Sequence, residues 1–531
     1  MTIDEQGRRL WHSVAPQQKA AFFSCLLTGY LVHLYAFTNL IPNSDGLSRV
    51  FDPQQMTISG RWFLHYASAL NHFTQMPAVI GLLSLLLLAL AAALLVDVLS
   101  LRSRVLSGLT GAFMAAFPCL GYTFLYLFTA SAYCLAILLA VLSVWLAKRC
   151  KVGWLLGVVA LALSMGIYQA YATVAIALSL LAVLSKTLDP NATFHDTLSL
   201  GLKLVAFLAC GAALYYAILL IALHVKNLEL LSYLGMDAAS SGYPFGQLPR
   251  LLLNTYKQVI AFFFVPGSAD GFASGWMAVL DLFALGLGIV FTLLHCSAKN
   301  LWHELWRPFG AMAMLILLPL GINFGQIISP YSVPTPLMKY AFVFVYVAVL
   351  LLADLALDTP SRPSGYTATL TTVWAALLLL FCLNTNNLLY TASTQAHRAT
   401  ESYATRLMAR IESCPGYEPG MAVAIVGAIP TEQIHSSIDS YTQVDHYSVP
   451  MHTVTTLNKH IYYYLNDWLN VPVEELPEET MLAISDSSAF QAMPLYPADG
   501  SVQVLDGQVV VRMQERYTPK SDFEIAYENR R

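Results

Sequence analysis

The sequence predicts a mainly α, polytopic helical membrane protein, and three observations carry that reading. Among 531 residues, 57% are hydrophobic and 11% charged, and the mean hydropathy of +0.58 lies far outside the soluble globular range. Apolar runs of roughly 20 residues, enough to cross about 30 Å of hydrocarbon, recur up to residue 388. They are too long and too continuous for barrel strands, and a single segment in lipid satisfies its own backbone polar groups only as a helix.

In chain order the runs lie near 19–41, 77–99, 105–123, 127–147, 152–167, 170–186, 200–223, 276–297, 308–328, 337–357 and 367–388, about eleven transmembrane helices. Lys and Arg in short loops stay cytoplasmic, and here they collect in every second connection. Arg8, Arg9 and Lys19 precede the first span; Arg102, Arg104, Lys148, Arg149, Lys151, Lys186, Lys299, Arg307 and Arg362 follow in alternate loops. The expected topology has a cytoplasmic N-terminus and an outer C-terminal segment. No cleavable signal peptide is expected, because the first run lacks a small-residue cleavage pattern.

Two domains are expected: a membrane domain over 1–390 and a small extracytoplasmic α/β domain over 391–531. The first has outer loops at 42–76 and 224–275. In 42–76, Ser59 to Phe73 is predicted as an interfacial helix, with Trp62, Phe63, Tyr66 and Leu70 toward lipid and Arg61, His65 and Asn71 toward water. In 224–275, the polar stretch Asp237 to Gly242 precedes a semi-apolar run from Leu248 to Val265 bearing Arg250 and Lys257. Asp97, Asp281 and Asp354 fall near span ends, where headgroup exposure is the expectation.

Beyond Thr391 charged residues become frequent. Met421 to Ile425 and Val502 to Met513 read as strands, the second a hairpin about Asp506-Gly507, and Ala399 to Ile411 and Thr455 to Leu469 as helices. His435, Asp439, Asp445 and His446 are spaced irregularly, as on a polar surface rather than a metal site. The eight cysteines show neither metal nor disulfide spacing. No basic, aromatic-interleaved patch is present, which excludes a nucleic-acid partner.

Against so apolar a background, Asn43-Ser44-Asp45-Gly46, Arg49, Asp52 and Ser59-Gly60-Arg61-Trp62 beside the first span stand out. Charges there belong either to a solvated loop or to chemistry. Asn43 to Leu47, followed by Ser59 to Phe63, resembles the GtrII-type glucosyltransferase family, multi-pass enzymes of bacterial surface polysaccharide modification. Gly166-Ile167-Tyr168-Gln169-Ala170-Tyr171, Leu337-Met338-Lys339-Tyr340 and Ala404-Thr405-Arg406 are similar too, so the resemblance covers roughly residues 20–430.

The resemblance implies a GT-C-like enzyme of the bacterial inner membrane. It would move glucose or another hexose from a polyprenyl-phosphate donor to a surface glycan such as the O-antigen of lipopolysaccharide, on the outer side of the membrane. A donor entering from lipid meets cations at headgroup depth; Arg49, Arg61, Lys257 and Lys339 are the candidates. The acceptor hydroxyl gives its proton to a carboxylate. Asp45 is the chosen base, with Asp52 as a second acidic group, and a single carboxylate implies inversion. Trp62, Tyr168, Gln169, Tyr171 and Tyr340 are assigned to sugar or acceptor. The sequence departs from the family pattern at Ala130-Ser131-Ala132, before Tyr133, where an acidic residue is expected. The partners implied are donor, glycan and membrane lipids, with no cofactor named and a divalent metal left open.

The same residue types also serve plain structural ends. Asp45 and Asp52 read as turn caps, Arg61 and Trp62 as an interfacial anchor, the tyrosines as an aromatic belt, and Lys257 and Lys339 as snorkelling cations. The rival functions are a transporter or flippase, which would show repeats and midplane polar residues, and a related polysaccharide polymerase or ligase.

Overall fold

The structure, a computed structural model, describes residues 2–47, 53–149, 153–230, 245–268, 271–330, 334–357, 363–428 and 458–519. Arg49, Asp52, the Asp237 to Gly242 stretch and the cluster His435, Asp439, Asp445 and His446 lie outside these residues. The chain divides into two compact units, Met1–Asn39 with Pro53–Asn387, and Leu40–Asp52 with Leu388–Arg531. The loop 42–76 is thereby shared between them.

The first unit is a helical bundle. Its helices are α1 (Ile3–Ser13) and α2 (Pro16–Thr38), then, after α3 (Ser44–Leu47) of the second unit, α4 (Leu64–Ser68), α5 (Pro77–Leu99), α6 (Arg104–Ala116) and α7 (Pro118–Leu125). There follow α8 (Leu127–Arg149), α9 (Gly153–Ile167), α10 (Ala172–Thr187), α11 (Phe194–Val225), α12 (Leu248–Phe264) and α13 (Gly275–Ala298). The last are α14 (Trp306–Ile322), α15 (Phe324–Ile328), α16 (Phe344–Leu357) and α17 (Pro363–Glu412), which continues into the second unit. Among the described residues nine helical segments are long and apolar enough to cross a membrane, and α9 and α14 are shorter apolar helices. Together they account for the eleven runs. This is a membrane protein.

Small residues bring the helices together, as expected where lipid supplies no hydrophobic drive. A Cβ at Gly111 of α6 would run into the carbonyl of Ala21 on α2, and one at Gly81 of α5 into the ring of Phe37. α17 runs 50 residues without interruption, because no Gly or Pro occurs between Gly365 and Pro415. The helix expected over Ala399 to Ile411 is therefore the far end of the last span.

Three carboxylates expected at headgroups are instead committed to the protein. Asp354 is 5% exposed and accepts from the backbone amides of Arg102 and Ser103 at 2.9 and 2.8 Å. Asp281 is 4% exposed and accepts from the Tyr346 hydroxyl at 2.9 Å. Asp97 accepts from Trp145 Nε1 at 2.6 Å and pairs with Arg149. Burying a charge without such partners would cost several kcal/mol.

The predicted interfacial helix is also corrected. Ser59 to Phe73 is broken into a 3₁₀ turn (Thr57–Ser59), α4 and a second 3₁₀ turn (Ala69–Asn71). Gly60, at φ 78°, closes the first turn, and left-handed His72 and Phe73 end the last. Tyr66 and Leu70 are exposed, but Asn71, expected in water, is fully buried. Its amide donates to the Thr74 carbonyl at 3.2 Å.

The second unit carries a three-stranded sheet in the order β1 (Val423–Val426), β3 (Gln508–Arg512), β2 (Val502–Leu505). β2 and β3 are antiparallel and joined by Asp506 and Gly507, both at positive φ, the geometry an Asp-Gly hairpin turn favours. β1 runs parallel to β3. The helices are α18 (Asn458–Tyr463), extended by a π-helical turn (Tyr464–Trp468), then α19 (Glu478–Asp486) and α20 (Ser488–Ala492). Ala424, Val426, Val510, Met481, Phe490 and Met493 form the core. The Tyr462 hydroxyl receives Ile425 N–H and donates to the Val423 carbonyl, both at 2.8 Å, satisfying groups that an edge strand leaves open.

Candidate active site

The two motifs singled out around residues 60 and 168 prove to be each other's packing partners. Phe63 N–H donates to the Gly166 carbonyl at 2.8 Å. Gly166 has no side chain to spare: a Cβ there would stand 2.7 Å from Trp62 Cε2 and 3.0 Å from Phe63 Cβ. Gln169 Nε2 reaches back to the Ser59 carbonyl and to the Tyr215 hydroxyl, both at 2.9 Å. Tyr215 Oη in turn donates to the Gly60 carbonyl at 3.0 Å, and Lys226 Nζ lies 3.2 Å from Thr57 Oγ1. The backbone of Ser59-Gly60-Arg61-Trp62 is thus held from α9, the turn after it, and α11. Such a brace fixes where the side chains of residues 61 and 62 project.

Arg61 lays its guanidinium over the Tyr168 ring, 4.6 Å from the centroid. From there a series of rings leads inward. Tyr168 stacks on Tyr133 at 4.9 Å and meets Tyr171 edge-on at 5.7 Å; Tyr171 meets Tyr340 at 6.5 Å. The Tyr340 hydroxyl donates to the Met114 carbonyl at 2.8 Å. Beside it Lys339 is only 2% exposed, with Cys119 in its electrostatic neighbourhood. The Trp62 indole stacks near Tyr215, and its Nε1 is buried with no acceptor among the described residues.

These residues sit at helix breaks. Tyr168 is extended between α9 and the turn Gln169–Tyr171, Phe117 separates α6 from α7, which begins at Pro118, Tyr126 separates α7 from α8, and Lys339 joins two 3₁₀ turns. Irregular backbone at membrane depth is tolerated only where protein buries it or a cavity solvates it, so breaks gathered at one end of a bundle mark it as specialised.

Lys257 and Asp45 are the other predicted residues that the structure describes. Lys257 is exposed on α12. Asp45 belongs to the second unit, exposed on α3, in a turn fixed by Gly46 N–H donating to Asn43 Oδ1 at 2.6 Å. Sequence reasoning missed Tyr215, Lys226 and Tyr133. Tyr215 had a signal, since Tyr215-Tyr216 interrupts an aliphatic run. Among the described residues no three His, Cys, Asp or Glu side chains gather as for a metal ion.

The fold sets this chain among multi-pass helical membrane proteins. A family model described as Glucosyl transferase GtrII matches residues 34–355, more than half of the chain, and the chain belongs to that family of glucosyltransferases. No curated protein and no solved structure matches it.

Proposed function

We propose that this glucosyltransferase takes glucose from a polyprenyl-phosphate donor and transfers it to a surface polysaccharide such as O-antigen, at the outer face of the bacterial inner membrane. The N-terminus is cytoplasmic and the C-terminal domain extracytoplasmic. The observation that carries this reading is the mutual seating of the Arg61 and Tyr168 motifs. An arginine and a tryptophan are held from several helices at one end of a membrane bundle, with a buried lysine at the far end of the tyrosine series. Such a set suits a lipid-borne phosphate and a sugar: Arg61 and Lys339 for phosphate oxygens, the Trp62 N–H and Tyr168 for the hexose. Arg49 and Lys257 are further phosphate ligands, and Gln169, Tyr171 and Tyr340 shape the sugar pocket.

In the transfer, the acceptor oxygen attacks the anomeric carbon as the bond to phosphate breaks. The leaving polyprenyl phosphate keeps the electron pair, and the hydroxyl proton passes to the Asp45 carboxylate, with Asp52 as a second acidic group and inversion at carbon. A positioned base contributes about 10²–10⁴ in rate. Reconstituted protein supplied with polyprenyl-phosphate glucose and O-antigen should form glycan-bound glucose, and Asp45→Asn should lower the rate by that factor while leaving the melting temperature unchanged. Equal rates for both proteins would remove Asp45 from the reaction. Failure with every polyprenyl-linked sugar would refute the donor assignment.

A further inference from the structure

The segment bearing Asp45 folds with the second unit, and what it packs against there points to a ligand site. α3 lies against α18 and the π-helical turn Tyr464–Trp468. A π-turn is rare and is frequently found at functional sites. Here it presents half-buried Trp468 and exposed Asp467. Trp468 is braced by His397 of α17, whose ring meets the indole edge-on at 5.4 Å and whose Nδ1 lies 3.3 Å from the Tyr464 hydroxyl. Tyr464 and Leu465 of the same turn are fully buried, so the turn is anchored within the unit while Trp468 and Asp467 keep surface exposure.

We propose that this patch, Trp468 with His397, Asp467 and Asp45, binds the acceptor glycan. The inference rests on the reading of Asp45 as the base and deepens it. A base must lie about 2.6–3.2 Å from the hydroxyl it deprotonates, so the acceptor sugar has to sit on the unit that carries Asp45. Indole beside carboxylate is suited to a pyranose: the apolar C–H face of the ring packs on the indole, and hydroxyls donate to carboxylate oxygens. An anionic or aliphatic ligand would gain nothing from the two carboxylates.

The test uses full-length protein in nanodiscs and lipid-free O-antigen polysaccharide as probe. Saturation-transfer NMR should show sugar ring protons contacting wild-type protein, lost in Trp468→Ala and retained in Trp468→Phe, which keeps an aromatic face. In transfer assays Trp468→Ala should raise KM for glycan at least 10-fold while kcat and KM for donor stay within twofold. Unchanged glycan KM in Trp468→Ala, or a rise confined to donor KM, would overturn the proposal. Should Trp468→Ala fail to fold, Trp468→Phe with Asp467→Asn replaces it, expected to raise glycan KM about threefold; no change would again overturn it. Glycan binding without glucose transfer would defeat the proposed reaction and leave this site standing, so the two failures are distinguishable.

Discussion

The two ends of α10 each hold an arginine beside a tryptophan, Arg61-Trp62 at one and Trp306-Arg307 at the other, and the two arginines are used in opposite ways. Arg307 is 3% exposed and stacked over Trp306 at 4.6 Å. It donates to the carbonyls of Thr187, Asp189, Pro190 and Ala192 at 2.6–3.3 Å and pairs with Glu304 at 3.0 Å. The guanidinium is a staple, closing the loop between α10 and α11. Nearby His295 is wedged between the Leu188 and Leu355 carbonyls, 2.9 Å from each, in the same manner. At the other end the bracing is done by Gln169, Tyr215 and the Phe63 amide, and Arg61 is what they brace. One arginine holds the fold; the other is held by it.

The sharpest way to break this contrast is to remove each arginine and read stability and transfer separately. Arg307→Ala takes the guanidinium donor from the carbonyls of Thr187, Pro190 and Ala192, while the Asp189 carbonyl keeps the Ala192 N–H; at about 1 kcal/mol or more for each of the three, a loss of about 3 kcal/mol is expected. It should appear as a collapse of folded yield and melting temperature in detergent. Arg307→Lys should recover only part of it, because a single ammonium cannot span the same fork of acceptors. Arg61→Ala should do the reverse, cutting glucosyl transfer about 100-fold, equivalent to about 2.7 kcal/mol in the barrier, with the melting temperature unmoved. If Arg61→Ala unfolds the protein while Arg307→Ala only slows transfer, the roles are exchanged and the contrast fails.

Much of this was legible in the sequence because it follows from composition and period. Eleven apolar runs, the Asp506-Gly507 hairpin and the strand at Met421 to Ile425 are local patterns, and each appears as an element. The motifs at residues 59–63 and 166–171 were also visible, but as two separate oddities. That Gly166 is glycine to make room for Trp62 is a fact about contacts more than a hundred residues apart, which no window along the chain contains. The same holds for Arg307, read as a topology marker because its four acceptors are backbone carbonyls, which every sequence has and none displays. Asn71 was assigned to water from its type and helical phase. The helix that phase assumed does not form, because Gly60 and His72 turn the chain.

The smallest effect tests the brace itself. Tyr215 is 7% exposed and gives the Arg61 segment one bond, to Gly60, while receiving another from Gln169. Tyr215→Phe keeps the ring against Trp62 and removes only the hydroxyl. Net loss of one neutral hydrogen bond is worth about 1 kcal/mol, so the melting temperature should fall slightly. If the brace positions Arg61, loosening it lets the guanidinium sample geometries that do not meet the donor, and a small misplacement is costly in rate. Transfer should fall about tenfold, more than stability alone accounts for at a temperature where both proteins are folded. Gln169→Leu removes that shared bond and also the separate one to the Ser59 carbonyl, so it should cost somewhat more, and the double variant should cost less than the sum of the two, since the Gln169–Tyr215 bond is lost in both. Additive losses would mean that Gln169 and Tyr215 act separately, and the idea of a single brace holding Arg61 would have to be given up.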